Sequence, residues 1–560
     1  MKQSTAVEPP EKGATESRVL AAKIGRALTL AVNIQSTDAV TPEVREFNNR
    51  GVALAARGET ERAIESYTRA IQLDPSLAAA YNNIGNALTT LGRFEEAIHA
   101  YDRALEIEST TLTSYNRASA LLDAGRFSEA VAEFREILRR GPRHANVYLN
   151  LGLALSALGR ETEAIDAYDQ AIRMDANNVT AERGRAVSLQ RLGRVDEAIE
   201  AYERAVAKNP DNAEIRLELG NALAHSNRFE QAIGSYREAL ARGVDTAELH
   251  LRLGIAFANL TRFEEAIEAY HRSIALDAQD AYADLNLGIA LAAVGRTAEA
   301  LESYDRSLAR NPQLLEAWNA RGVALSSLGE HVAALDAYRR ALHLEPSAAP
   351  VHFNIGISLS ALARFPEAVE AFRDAVKYGE QTAEVYTNLG FALVRIGEMG
   401  EAIQAYSFAR DLNPGDAMTW LNIGILSASG NRHQEALEYY YRAIELDPEL
   451  YPAYVNCAKS LLDLDRMSEA AEITAFLAQW TEEGEAETAG ASRRVAENTQ
   501  VTELAPTEQA QALADIPAMV EQLDVRASEL AARCARLDES VDAYLQELRR
   551  QKTWAQTITH

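Results

Sequence analysis

The chain has 560 residues, 82 acidic against 56 basic side chains, and a formal net charge of −26. That balance argues against nucleic acid as a partner, because holding a phosphate backbone requires a cationic surface; it weighs less heavily against an anionic membrane. Two cysteines, Cys457 and Cys534, are too few for a disulfide framework, so both are read as reduced thiols of a cytoplasmic protein.

The N-terminus, residues 1–15, is short of large apolar side chains and is predicted to be disordered. It lacks the apolar core of a signal peptide, and no stretch of the chain reaches the apolar length of a membrane span. A helix is predicted over Glu16–Ile34, with Leu20, Ile24, Leu28 and Val32 on an i, i+4 stripe. Together with a turn it fills residues 16–43 and reads as a cap over the open end of a repeat array that begins at residue 44. A membrane-surface helix is the alternative, and only Arg18, Lys23 and Arg26 offer it a basic face.

Residues 44–480 repeat one unit. In Ala383–Asp416, Tyr386, Leu389, Gly390 and Leu393 share one helix face, and Gly397 ends that run. Ala402, Tyr406 and Ala409 make a second stripe, and Asn413-Pro414 closes the unit. Gly390 and Ala402 would let two helices approach closely beside the Tyr406 ring. The alanine recurs from Ala63 and Ala97 through Ala130 and Ala164 to Ala436 and Ala470, every step 34 residues except one of 33. Four residues after each stands Tyr or Phe, save for Thr474 in the last unit. The pattern resembles the tetratricopeptide repeat family, whose signature carries an aromatic, Leu-Gly, Ala, Tyr/Phe, Ala and Pro at these offsets. The resemblance implies thirteen tandem units in an all-α fold, a right-handed α–α superhelix. Each unit buries its apolar face only against neighbours. Acidic residues at the second-helix starts, as in FEEA at 94–97, complement the helix dipole and read as a solvated face.

Beyond the array, residues 481–512 are small, polar and charged and read as a linker. Residues 513–551 carry a heptad pattern, with Val520, Ala527, Cys534, Val541 and Leu548 in one series and Ile516, Leu523, Leu530, Leu537 and Tyr544 in the other. Either the helix joins copies into a homo-oligomer through 516–548, or it folds back on the last repeat or forms a helical hairpin. Residues 552–560 form a tail.

Motifs of catalysis are absent: no phosphate loop, no G-x-S-x-G, no H-E-x-x-H and no C-x-x-C. No catalytic site, metal site or cofactor is expected. One constellation stands out. Two residues before the glycine-type position of the first helix, asparagine occupies nine units: Asn49, Asn83, Asn116, Asn150, Asn286, Asn354, Asn388, Asn422 and Asn456. Asparagine is a mediocre helix former and adds nothing to an apolar core. A carboxamide offers an acceptor and two donors, so it can hold a peptide C=O and N–H together. The ladder is similar to that of the superhelical arm of O-linked N-acetylglucosamine transferases and, by analogy, to the groove of importin alpha. That resemblance implies a concave, peptide-binding groove. Inherited repeat consensus or hydrogen bonding between units is the other reading.

Three residues beyond the ladder stand Val52, Leu153, Ile255, Ile289, Val323, Ile357, Phe391 and Ile425, which makes the expected groove neutral and partly apolar. The ladder breaks at Gly184, Glu218 and Arg252, near Arg183, Arg185, Arg191 and Arg216. Those arginines read as a solvated basic patch or as a subsite for an acidic partner. The leading expectation is a protein-interaction scaffold for an unidentified protein or peptide partner; the alternative is a structural, oligomer-forming protein. About 80 residues follow the array, too few for a nucleotide-sugar domain, so a transferase activity would need a separate polypeptide.

Overall fold

A computed structural model describes Val7, residues 40–141 and residues 143–477. The expected capping helix over 16–34, the linker 481–512, the heptad helix 513–551 and the tail 552–560 lie outside the described residues. Two compact units divide the chain, one spanning Thr5–Arg296 and the other containing Thr297–His560. Among the described residues both are built of helices alone, which run from Pro42–Ala56 to Tyr451–Asp463 and continue through residues 467–477. No helix of the described residues is long and apolar enough to cross a membrane.

The pair Ala383–Ile396 and Met399–Leu412 shows why the pattern folds as it does. The Thr382 hydroxyl accepts the Val385 N–H at 3.4 Å and so caps the first helix. Gly397 ends it with φ 86°, left-handed backbone that glycine adopts without strain. Ala402, Tyr406 and Ala409 are buried as the stripe predicts. A Cβ on Gly390 would stand 2.9 Å from the Tyr406 ring. The fit is tighter in other units: a Cβ on Gly85 would stand 2.4 Å from Tyr101, and one on Gly322 2.3 Å from Tyr338. The ring therefore lies flush on the backbone of the first helix, and a residue without a side chain is what lets it. Each pair is held at that point.

Successive pairs stack, and first helices also meet first helices of the next unit, as Ala78–Thr90 meets Thr111–Asp123. The first helices thus run together along one side of each stack. At the unit junctions the first-helix aromatic reaches back to the closing proline. Trp318 Nε1 donates to Pro312 O and Trp420 Nε1 to Pro414 O, both at 3.0 Å, and the Tyr454 hydroxyl donates to Pro448 O at 3.1 Å. The arginine before many second helices clips its own helix start. Arg93 donates Nε and Nη2 to the two oxygens of Glu96 at 2.7 and 2.6 Å, and Arg126, Arg160, Arg194, Arg364 and Arg466 repeat the clip. The arginine hydrogen bond holds the Glu96, Glu129 and Glu163 carboxyls below their usual range.

Candidate functional site

Where each ladder carboxamide points is decided by the residue one place before the ladder position in the preceding unit. Where that residue is asparagine or tyrosine, the two side chains bond across the junction. Asn83 Nδ2 donates to Asn48 Oδ1 at 3.1 Å and Asn116 Nδ2 to Asn82 Oδ1 at 3.0 Å. Asn150 Nδ2 donates to the Tyr115 hydroxyl at 3.2 Å and to Ser119 at 3.3 Å. Asn354 Nδ2 donates to Asn319 Oδ1 at 2.9 Å. Asn83, Asn116 and Asn150 are buried in doing so. These four tie one first helix to the next. Asn49 stands in the first unit and accepts from its neighbour Asn48 at 3.2 Å.

The broken rungs follow the same rule in charged form. Glu218 takes the ladder position, and Arg183 precedes that position in the unit before. Arg183 Nε donates to Glu218 Oε2 at 2.8 Å and Nη2 to Oε1 at 2.5 Å. This is a bidentate ion pair in the place of Asn48–Asn83. Gly184 is forced by packing: a Cβ there would stand 2.6 Å from the Tyr168 ring. Arg252 turns to Glu248 of its own helix at 3.2 Å. The remaining arginines of the cluster are paired as well. Arg185 meets Asp169 at 2.7 Å, Arg191 meets Glu161 at 2.9 Å, and Arg216 pairs with Glu238 and donates to Pro210 O at 2.9 Å. The charges are consumed within the chain.

Where the preceding residue is apolar, the carboxamide keeps to its own helix. Leu251 precedes Asn286, Phe353 precedes Asn388 and Leu421 precedes Asn456. In each case Nδ2 donates to the carbonyl four residues back: Tyr282 O at 3.0 Å, Glu384 O at 2.8 Å and Pro452 O at 2.8 Å. That bond uses one donor proton and fixes the rotamer, leaving Oδ1 and a second N–H for another group. Asn422 follows Thr387, is half-buried, and makes no hydrogen bond among the described residues.

At Asn286 the other group is present. The Val7 N–H donates to Asn286 Oδ1 at 2.6 Å, and Asn286 Nδ2 donates to Val7 O at 2.7 Å. One carboxamide can reach both polar groups of one residue only where they point the same way, as in extended backbone. The exchange is that of a hydrogen-bonded pair in an antiparallel sheet. The surrounding wall is apolar, with Leu251, Ile255 and Ile289 buried. Sequence reading found the nine asparagines but neither Val7 nor the sorting role of the preceding residue. The apolar Leu251, Phe353 and Leu421 were the available signal for the latter. It also missed Asn86 and Asn221, whose Oδ1 atoms accept the buried Tyr101 and Tyr236 hydroxyls at 2.7 and 2.9 Å. Among the described residues, no group of three or more His, Cys, Asp or Glu side chains could hold a metal ion.

A family model described as tetratricopeptide repeat matches residues 115–179, 183–247, 226–281, 285–349, 353–417 and 392–451. Two further models, TPR repeat and tetratricopeptide repeat, match 51–92 and 78–110. Comparison with curated proteins gives no match. Among solved structures, the APC/C hetero-tetramer Cut9-Hcn1 is 14% identical over 76% of this chain and 97% of that one, with a TM-score of 0.38. Yeast Tom70 is 13% identical over 81% and 99%, with a TM-score of 0.34. YrrB, titled a TPR protein with an unusual peptide-binding site, is 24% identical over 33% and 96%, with a TM-score of 0.31. At TM-scores this low, none of them bears on what this chain binds. The matched repeats extend over well over half of the sequence, and the chain belongs to the tetratricopeptide repeat family.

Proposed function

We propose that the chain is a protein-interaction scaffold whose inner wall holds an extended partner segment by its backbone. Asn286, Asn388 and Asn456 are the gripping carboxamides, with Asn422 as a further member. Asn83, Asn116, Asn150 and Asn354 serve the stacking of units. The observation that carries this reading is the two-way bond between Asn286 and the backbone of Val7. Asn388 and Asn456 make the same bond to the carbonyl four residues back, Asn388 buried and Asn456 half-buried, which leaves Oδ1 and one N–H of each without a use in that bond. A grip on backbone atoms tolerates many side-chain sequences; Asn286 offers it in one compact unit, and Asn388, Asn422 and Asn456, on successive first helices of the other, offer it in series there. The partner is a protein or peptide and not a nucleic acid, since the chain carries a net charge of −26 and its arginine cluster is paired internally.

The test is a degenerate array of immobilised peptides probed with the full chain and with Asn286→Ala/Asn388→Ala/Asn456→Ala. The reading expects a set of bound peptides whose signal falls at least about tenfold in the triple variant. An unchanged binding pattern refutes it.

A further inference from the structure

Val7 is a residue of this chain, so the gripping site at Asn286 already holds a peptide. We propose that the chain's own Val7 is an in-cis ligand of the Asn286 rung and competes with the external partner for it. The inference rests on the groove reading above and goes beyond it by naming the first occupant and the chemistry of its rivals.

Three observations carry it. The contact is two-way and short, 2.6 and 2.7 Å, and engages backbone alone, so it has the chemistry of a ligand. Asn286 is 1% exposed with Val7 in place, and both its donor protons are used, one on Val7 O and one on Tyr282 O. A buried carboxamide with no partner costs on the order of one hydrogen bond's desolvation, so the site favours being filled. Finally, Leu251 leaves Asn286 without the cross-unit partner that Asn83 and Asn354 find. Val7 takes that place.

The geometry also defines a competitor. Its anchor residue must be extended and must keep its N–H, which excludes proline there. A tethered occupant competes at a high effective concentration, so an external peptide meets an occupied rung and binds more weakly than its intrinsic affinity.

The experiment uses the full chain and a fluorescein-labelled synthetic peptide of residues 1–11 as the probe. Val7→Pro removes the donated N–H from a residue outside the helical array, so it leaves the repeats intact. Asn286→Leu removes the grip, and circular dichroism checks that its helices persist. The peptide is expected to bind Val7→Pro about tenfold more tightly than the unaltered chain, and not to bind Val7→Pro/Asn286→Leu. Hydrogen exchange at the Val7 amide is expected to be slow in the unaltered chain and fast in Asn286→Leu.

Equal affinity for the unaltered chain and Val7→Pro, or no binding to either, overturns the proposal. So does concentration-dependent association in sedimentation that Val7→Pro abolishes, which would place the segment on a second copy. The peptide array separates the two failures. If Asn286-dependent array binding persists while the self-peptide fails, only the in-cis ligand is lost; if array binding ignores all three carboxamides, the groove reading falls with it.

Discussion

The equivalence of the charged and neutral rungs gives a quantitative expectation. Arg183 and Glu218 have side chains 12% and 22% exposed and share two short charge-assisted bonds, while Glu214 stands 3.4 Å from Arg183 as a weaker second partner. Breaking a fully buried pair costs about 3–5 kcal/mol. Partial exposure and the Glu214 contact lower that to about 2 kcal/mol for Glu218→Asn, and a similar ~2 kcal/mol for Arg183→Asn, since each strands one charge. The double variant recreates the Asn48–Asn83 rung and should cost only about 1.5 kcal/mol in total, a coupling of about 2.5 kcal/mol. A repeat array opens locally, so a single melting temperature would blur the effect. Hydrogen exchange in graded urea, followed on peptides from Val179–Arg191 and Ala213–His225, isolates it. Additive single variants, with the double costing about 4 kcal/mol, would refute the idea that the two rungs are one device.

The packing sets further expectations. Gly85→Ala places a Cβ 2.4 Å from Tyr101, a ring with no room to retreat, and should destabilise its unit by about 1–3 kcal/mol in urea titration. Burial pushes the Cys457 thiol up to about 11. In a Cys534→Ala chain, thiol reagent at neutral pH should therefore leave Cys457 unmodified until denaturant is added. The clipped carboxyls of Glu96, Glu129 and Glu163 have folded values depressed by their arginines. Their contribution is present above the unfolded value of 4.5 and is lost as pH falls through the lower folded value. Urea midpoints should hold steady from neutral pH down to about 5 and drop below about 4.5, with added salt shrinking the drop.

Much of the fold was legible because its determinants are local and recur. The small residue at Gly85, the ring at Tyr101 and the terminator at Gly397 each act within one unit, so a period of 34 residues exposes them. The ladder was legible as a column of asparagines. Its division into members that bond across units and members that bond within their own helix was not, because Asn83 and Asn286 are identical in type. They differ only in facing Asn48 or Leu251, a residue 35 positions back that no within-unit pattern examines. The arginine cluster misled for the same reason: Arg183 reads as free charge until Glu218, in the following unit, is seen to meet it. Val7 lay beyond reach altogether. A single aliphatic residue in a polar stretch carries no periodicity, and its role depends on a partner 279 residues away.

The most direct measurement compares two triple variants against one peptide chosen from the array. Asn286→Ala/Asn388→Ala/Asn456→Ala should lose at least about tenfold in affinity by titration calorimetry, with its urea midpoint within error of the parent. Asn83→Ala/Asn116→Ala/Asn150→Ala should keep its affinity within about threefold while losing stability by about 1 kcal/mol per rung. The opposite assignment, with affinity carried by the stacking asparagines and untouched by the other three, would contradict the account.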